Sequence, residues 1–522
     1  MYQSMDDIKS PTGTPTTLPL LPPTSAETIQ SHVAALRAAY RTGAVSSLAA
    51  RKTQLVQLRR LIEEGFELLQ AAMKKDLHKH ATETWAMEIA GTLSEIQEHL
   101  DYMDDWAAPQ KVGTNLVNIP GSSYTMADPL GVCCIMGTWN YPLMLVLMPL
   151  VGCLSAGNCA LIRLPSEGTC DNVAAALAYL LDKYMDPSVV RYVAGGIDAN
   201  KAMLAQKFDL IFCTGGCTIG KIVARAAAEH LTPVVLELGG KSPAIIDASI
   251  DVAVTARRLV WGAFTNAGQT CVRPDYIMVH ASVGPQLVAA MKQAVIDMFG
   301  ADPQASDSYG RLVNAAQFER ISRIYASDKA FAVHGGQSDG AERFFGPTIF
   351  NFESNYAAFA ASAAMEGEIF GPLLPVCYYT DINAVLGHVS DGPKPLALYV
   401  FSTSGDFKRL VLTRTTSGSA CVNDTMMQLS NPHLPFGGVG NSGMGSYHGR
   451  QSFRVFSHQK SVLYKHFALD IPQRYQPYTP FARKLLGAAL FPIPRLWPRL
   501  ALLAVVAAVV AVVLPLAVAA TK

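Results

Sequence analysis

The chain has 522 residues, 50% of them hydrophobic, with 42 basic against 41 acidic side chains. That length exceeds what one core supports, so two or more domains are expected, and the cancelling charge excludes a binder working by bulk attraction to nucleic acid. The 10 cysteines follow no regular spacing, which excludes a disulfide-stapled scaffold; no secretory leader is expected, and reduced thiols facing a cytosol are.

Residues 1–25 are rich in Pro, Thr and Ser and are expected to be disordered. From Ala26 to about Asp105 the texture is helical. "AARKTQLVQLRRLIEEGFELLQAAMKKDL" and "TWAMEIAGTLSEIQEHLDYMDDW" repeat apolar residues at three- and four-residue spacing. These helices read as a shell and not as a site. After Pro120 short apolar runs, "GVCCIMG", "NCALIRL", "LIFCTGG", "PVVLELGG" and "SPAIIDA", alternate with helical stretches. That alternation predicts an α/β fold with a parallel sheet. "PLMLVLMPLVGCL" (142–154) is too short to cross a bilayer and reads as a buried helix. A second α/β stretch is expected from about Leu238 to Gly418.

Leu500 to Ala520 is different in kind: 21 residues without a charge, flanked by Arg495 and Arg499. At about 1.5 Å per residue it spans roughly 30 Å, a bilayer's hydrocarbon thickness, and Pro515 is tolerable there. It reads as a single-pass C-terminal anchor, with the bulk of the chain facing the cytosol at the endoplasmic reticulum or another organelle membrane. A buried terminal core helix is the alternative.

Four stretches join reactive or polar residues to glycine at the ends of apolar runs: "GTWNYP" (137–142), "LELGGKSP" (236–243), "NAGQTC" (266–271) and "EIFGP" (368–372). Together they resemble the aldehyde dehydrogenase superfamily. With "LPFGGVGNSGMGSYHG" (434–449) and "FSHQKSV" (456–462) the resemblance narrows to class 3, the fatty aldehyde branch. "RYQPY" (474–478) before an apolar terminus is similar to its membrane-anchored members. The resemblance implies a doubly wound NAD(P)-binding domain over 26–236, carrying a β-hairpin oligomerisation arm near 113–129 that pairs with C-terminal strands in a homodimer. It also implies a catalytic domain over 237–420, C-terminal strands over 421–465, a juxtamembrane segment over 466–499 and the anchor over 500–520.

The chemistry makes sense of each motif. Oxidising an aldehyde by hydride transfer needs a nucleophile that turns the carbonyl tetrahedral and later leaves as a thioester, which suits a thiolate; Cys271 is the candidate. A buried inert thiol is the ordinary alternative. In the family the oxyanion donors are the cysteine backbone N–H and an Asn side chain, here Asn140; capping the helix that follows is a second, compatible role. Hydrolysis of the thioester needs a base near neutral pH. Glu237, 34 residues before Cys271, matches the family's. CoA-acylating relatives generally lack it, so its presence favours the free acid as product.

The hydride implies NAD, with NADP possible. "FCTGGCTIG" (212–220) sets Gly215, Gly216 and Gly220 at the start of a helix, where a pyrophosphate is favoured. Cys213 and Cys217 lack partners for a metal and read as packing. The resemblance adds Thr138 and Trp139 at the cofactor, Glu368 on the nicotinamide ribose and Phe370 beside the ring, with Glu366 a surface charge. "GNCALIRLPSE" (157–167) holds one residue more than the family pattern. Counting from Gly157 puts Arg163 at the ribose-binding Lys position; counting back from Pro165 puts Leu164 there. Arg163 would accept a 2′-phosphate, whereas Glu167 favours NAD.

The expected substrates are long apolar aldehydes, fatty first, with apocarotenoid or other isoprenoid aldehydes second. A catalytically silent binding protein on the same fold is the rival from another class, and it would require substitution at Cys271, Asn140 or Glu237.

Overall fold

The computed structural model describes residues 18–467 and 472–490. The expected anchor and the first 17 residues lie outside them, and among the described residues no helix is long and apolar enough to cross a membrane. The N-terminal stretch is tied down from Thr24: its N–H reaches Ala194 O at 2.9 Å, and Ser25 Oγ caps the helix Ala26–Arg41.

All five apolar runs form strands. Val132–Met136, Cys159–Arg163, Val190–Val193, Leu210–Thr214 and Val234–Glu237 make a parallel sheet, and Gly443–Met444 closes it as an antiparallel sixth strand beside Val234–Glu237. Val132–Met136 is buried along its whole length, which is why such strands read as unbroken apolar runs rather than alternating ones. A second sheet has seven strands in the order Ala332–His334, Thr348–Asn351, Leu373–Tyr379, Tyr276–His280, Pro243–Ile246, Ala397–Phe401 and Ser419–Val422. Chain order at 237–243 carries the backbone directly from one sheet to the other.

The helices Leu48–Leu77 and Ala90–Ala107 and the apolar helix Met144–Ala156 complete the layer against the first sheet, with Leu55, Leu58, Ile62 and Leu69 fully buried. Met144–Ala156 is buried on every face, so it has no polar side, and it ends on the left-handed Gly157.

A separate unit comprises Pro109–Met126 and the described residues from Gln459 to Leu490. Gln110–Val112 and Ser122–Pro129 form its antiparallel hairpin, starting three residues earlier than the arm expected from sequence. The third strand is the chain's own Ser457–Tyr464, so this pairing needs no second copy. The helix Pro480–Leu490 follows.

Candidate active site

The site is assembled at the carboxyl ends of the parallel strands, where open α/β sheets leave a crevice. Val132–Met136 runs into Thr138–Asn140, Leu210–Thr214 into Gly215–Gly216, and Val234–Glu237 ends on Glu237 itself. Cys271 arrives from the other direction, after the helix Val252–Phe264 and a turn in which Asn266, Ala267 and Gly268 all have positive φ. Gly268 is required: at φ +71° a Cβ would also lie 2.4 Å from Gly371 O. Gln269 pins the turn from within, its amide donating to Asn266 O and Arg311 O.

Thr138, Trp139, Asn140, Gly215, Gly216, Glu237, Cys271, Glu368 and Phe370 line one cavity of about 610 Å³. Nine of the twelve residues singled out in the sequence are thus brought together. Gly220 lies one turn inside the helix Cys217–Ala228, packed so tightly on Leu238 that a Cβ would meet it at 2.7 Å; its role is close packing. Arg163 ends its strand with its guanidinium 3.2 Å from Gly195 O, and Glu167 folds over Gly196 nearby. Leu164 is fully buried in the core, so of the two alternatives only Arg163 offers a polar group.

The cavity holds two buried carboxyl groups, Glu237 and Glu368. Burial pushes the Glu237 carboxyl well above the usual range, and neither of its oxygens has a hydrogen-bond partner. Glu368 is pushed up to about 8 by burial and by Asp275. Burial, then Glu368 and Glu237, push the Cys271 thiol up to about 12, opposed by the backbone N–H groups of Cys271 and Val272. The thiol and Glu237 therefore sit close enough for the charge of either to disfavour that of the other.

Asn140 donates through Nδ2 to Gln269 O at 3.1 Å. A carbonyl oxygen there fixes the amide's orientation, and one of the two Nδ2 hydrogens is left over. Asn140 does not cap the helix Met144–Ala156. That task falls to Glu88, whose Oε2 accepts from Leu143 N at 2.9 Å and Met144 N at 3.3 Å. Glu88 sits on a π-helical turn, Trp85–Ile89, and its Oε1 receives Lys79 Nζ at 2.6 Å. The N-terminal helices are thus more than a shell. Helical periodicity marks which face is buried but not that a charged pair lies within it.

Arg273, two residues after Cys271, is fully buried and braces the Glu368 loop through Gly371 O and Leu373 O at 2.5 and 2.7 Å. Asp275 accepts from Ile369 N at 3.0 Å and from Lys241 Nζ at 2.5 Å. This network locks three loops together, and nothing in the local sequence signals it.

The nucleotide cofactor finds unpaired groups in and beside the cavity. Glu368 Oε1, Thr214 Oγ1 and Arg163 Nε are buried without partners. The helix Cys217–Ala228 has no side-chain cap, and a Cβ on its N-cap Gly216 would meet nothing within 4 Å. Uncapped N–H groups over open space suit a pyrophosphate. Trp139 and Phe370 meet edge to face at 5.3 Å, an apolar wall for a flat ring. The residues fit the group. Cys213 is buried, and Cys217 Sγ lies 3.1 Å from Asn441 O; among the described residues no cluster suits a metal.

Cys271 also lines a second cavity, of about 410 Å³. Met87, Met144, Met148, Met426 and Met427 line it with Trp261, Leu429 and Phe436. Methionine is flexible and apolar, so this wall is adaptable.

Cys271 is thus shared between the larger, carboxylate-bearing cavity and the smaller, methionine-lined one. The model of the Aldehyde dehydrogenase family matches residues 3–462, and the chain belongs to that family. It is 41% identical to Aldehyde dehydrogenase family 3 member A2 of Mus musculus over 84% of this chain and 88% of that one. It is 39% identical to 4,4'-diaponeurosporen-aldehyde dehydrogenase of Staphylococcus aureus over 85% and 95%. A solved structure of Staphylococcus aureus AldH in its substrate-bound state superposes with a TM-score of 0.84, at 37% identity, covering 88% of this chain and 99% of that one. The chain is an aldehyde dehydrogenase using NAD or NADP.

Proposed function

We propose that this aldehyde dehydrogenase oxidises long apolar aldehydes to free carboxylic acids, with Cys271 as nucleophile, Asn140 as oxyanion donor and Glu237 as hydrolytic base. The observation that carries the reading is the position of Cys271 between the carboxylate-lined cavity and the methionine-lined one. Cys271 gives up its proton to solvent water and its sulfur adds to the aldehyde carbon, and the negative charge that develops on oxygen meets the spare Asn140 N–H and the Cys271 backbone N–H. Glu368, Thr214 and Arg163 would hold the cofactor, with Gly215 and Gly216 at its phosphates. When bound, the nicotinamide supplies the hydride acceptor. Glu237, whose carboxyl burial raises well above the ordinary range, then draws a proton in its ionised form from the water that hydrolyses acyl-Cys271. Cofactor preference follows Arg163 and Glu167: the first favours a 2′-phosphate, the second a free ribose hydroxyl.

Residues 500–520 support a membrane location, because 21 uncharged residues are long enough to span a bilayer. An aldehyde that partitions into lipid is then met at high local concentration, with the catalytic body on the cytosolic side. The exposed eight-residue edge strand Ser457–Tyr464 supports a homodimer, since such an edge invites pairing.

A second reading, oxidation of apocarotenoid aldehydes, is supported by the printed name of the Staphylococcus aureus relative. One experiment tests both: saturated aldehydes of graded length and a polyene aldehyde, each with NAD and NADP, using the full chain and one lacking residues 496–522. Efficiency should rise with chain length. The shortened form should keep activity on short soluble aldehydes and lose most of it on aldehydes in liposomes. A polyene preferred over a saturated chain of equal length replaces the fatty reading with the second. A shortened form that still pellets with membranes removes the anchor.

A further inference from the structure

Lys79 is the most deeply buried lysine of the described chain, 1% exposed, and Glu88 is completely buried. Neither touches Cys271's cavities through its charged end, and neither belongs to the reaction as derived above. Yet both cross from the N-terminal helical layer to the loop that carries Asn140. Lys79 Nζ donates to Glu88 Oε1 at 2.6 Å and to the backbone carbonyl of Asn140 at 3.1 Å, and it lies 4.3 Å from the centre of the Tyr141 ring. Glu88 Oε2 holds Leu143 N and Met144 N, the first amides of the next helix. On the other side, Asn266 Nδ2 donates to the same Asn140 carbonyl at 2.8 Å, and Tyr141 Oη meets Thr270 Oγ1 at 2.7 Å. The loop 138–144 is therefore clamped between two carriers: the ion pair on one face, the nucleophile turn on the other.

Burying two charges is costly, and an apolar pair of similar volume is often at least as stable. A pair retained at such cost needs a return other than stability. Its three hydrogen bonds outside the pair and the Lys79 contact with the Tyr141 ring all fall on the stretch from Asn140 to Met144, and an oxyanion donor misplaced by about 1 Å forfeits a large part of its effect, on the order of 10²-fold. The nearby Glu83 does not substitute. Burial raises its carboxyl, with Lys79 opposing, and its Oε1 has no hydrogen-bond partner.

We propose that Lys79 and Glu88 are positioning residues for the oxyanion site, fixing the 138–144 loop so that the Asn140 amide is aimed at the oxygen of an aldehyde held on Cys271. This rests on the reading of Asn140 as oxyanion donor.

The test is pre-steady-state formation of NAD(P)H in the full-length enzyme. It compares wild type, Asn140→Ala, the double variant Lys79→Met with Glu88→Gln, and the triple variant. The double variant removes both charges of the pair together, the buried Glu83 carboxyl beside them losing the cation that opposed its protonation, and the Gln keeps an acceptor for the helix amides. The burst rate constant should fall at least about tenfold in the double variant, with burst amplitude, cofactor affinity and aldehyde KM within about twofold of wild type. The triple variant should be no slower than Asn140→Ala alone by more than about twofold, because the pair acts through that residue. A burst constant unchanged while amplitude or melting temperature falls makes the pair merely structural and overturns the inference. Losses that multiply in the triple variant overturn it too, since the pair then acts elsewhere. If Asn140→Ala itself bursts at the wild-type rate, the oxyanion reading fails first, independently of the pair. Should the double variant not fold, Glu88→Gln alone weakens the pair while keeping its geometry. A burst slowed about threefold at full amplitude supports the inference, and an unslowed one overturns it.

Discussion

The two cavities that meet at Cys271 are built in opposite ways. The larger is made by loops at strand ends, with glycines where backbone must approach closely: Gly239 leaves the space that the Glu368 carboxylate fills, a Cβ there lying 2.0 Å from its Oε2. The smaller is made by side chains from five separated segments, 86–94, 141–148, 261–272, 426–436 and 447–448. Chemistry needs groups held at fixed positions, so short rigid motifs carry it. Apolar fit needs only surface of the right kind, which any passing helix or loop contributes. The first cavity is therefore intolerant of change and the second graded in its response.

Replacing Cys271 by Ala strikes the point both cavities share and should give the largest effect. Turnover should fall more than about 10³-fold, since among the described residues no other thiol lines either cavity. Cofactor binding, followed by fluorescence titration, should persist. Residual turnover above a hundredth of wild type would remove Cys271 from its assigned role.

Glu237→Gln confines the damage to the carboxylate side. Steady-state turnover should drop by about 10²-fold while a burst of NAD(P)H remains. The base works only when ionised, and burial raises its pKa. The wild-type deacylation rate should therefore climb with pH to well above the ordinary carboxylate range, and in the variant that limb should vanish. A lost burst would show that Glu237 also takes the Cys271 proton, as their mutual electrostatic influence permits.

The mildest change belongs to the apolar side. Met144→Gln keeps length and volume but puts an amide in the methionine-lined wall, and KM for long aldehydes should rise about fivefold. Short soluble aldehydes should be unaffected. Equal penalties on both would mean that the second cavity does not hold the chain, and the contrast between the two regions would collapse.

Much of this was legible without coordinates. The strands announced themselves because a sheet covered on both faces requires continuous apolar runs, as in "GVCCIMG" and "LIFCTGG". The polar cavity was legible for a related reason. Its residues sit in short stretches whose spacing is fixed by local backbone geometry, so Asn140, Glu237, Cys271 and Glu368 declare themselves within a few neighbours each. The alternative between Arg163 and Leu164 was not decidable there, because one extra residue shifts the count while only tertiary packing shows that Leu164 points into the core. Glu88 as the cap of Met144–Ala156, Lys79 beneath Asn140, and Arg273 with Asp275 tying the loops are likewise products of tertiary contact, formed by residues 55 to 100 positions apart. A buried charge looks, in sequence, like any other charge on a helix or loop; what distinguishes it is the partner that folding brings to it.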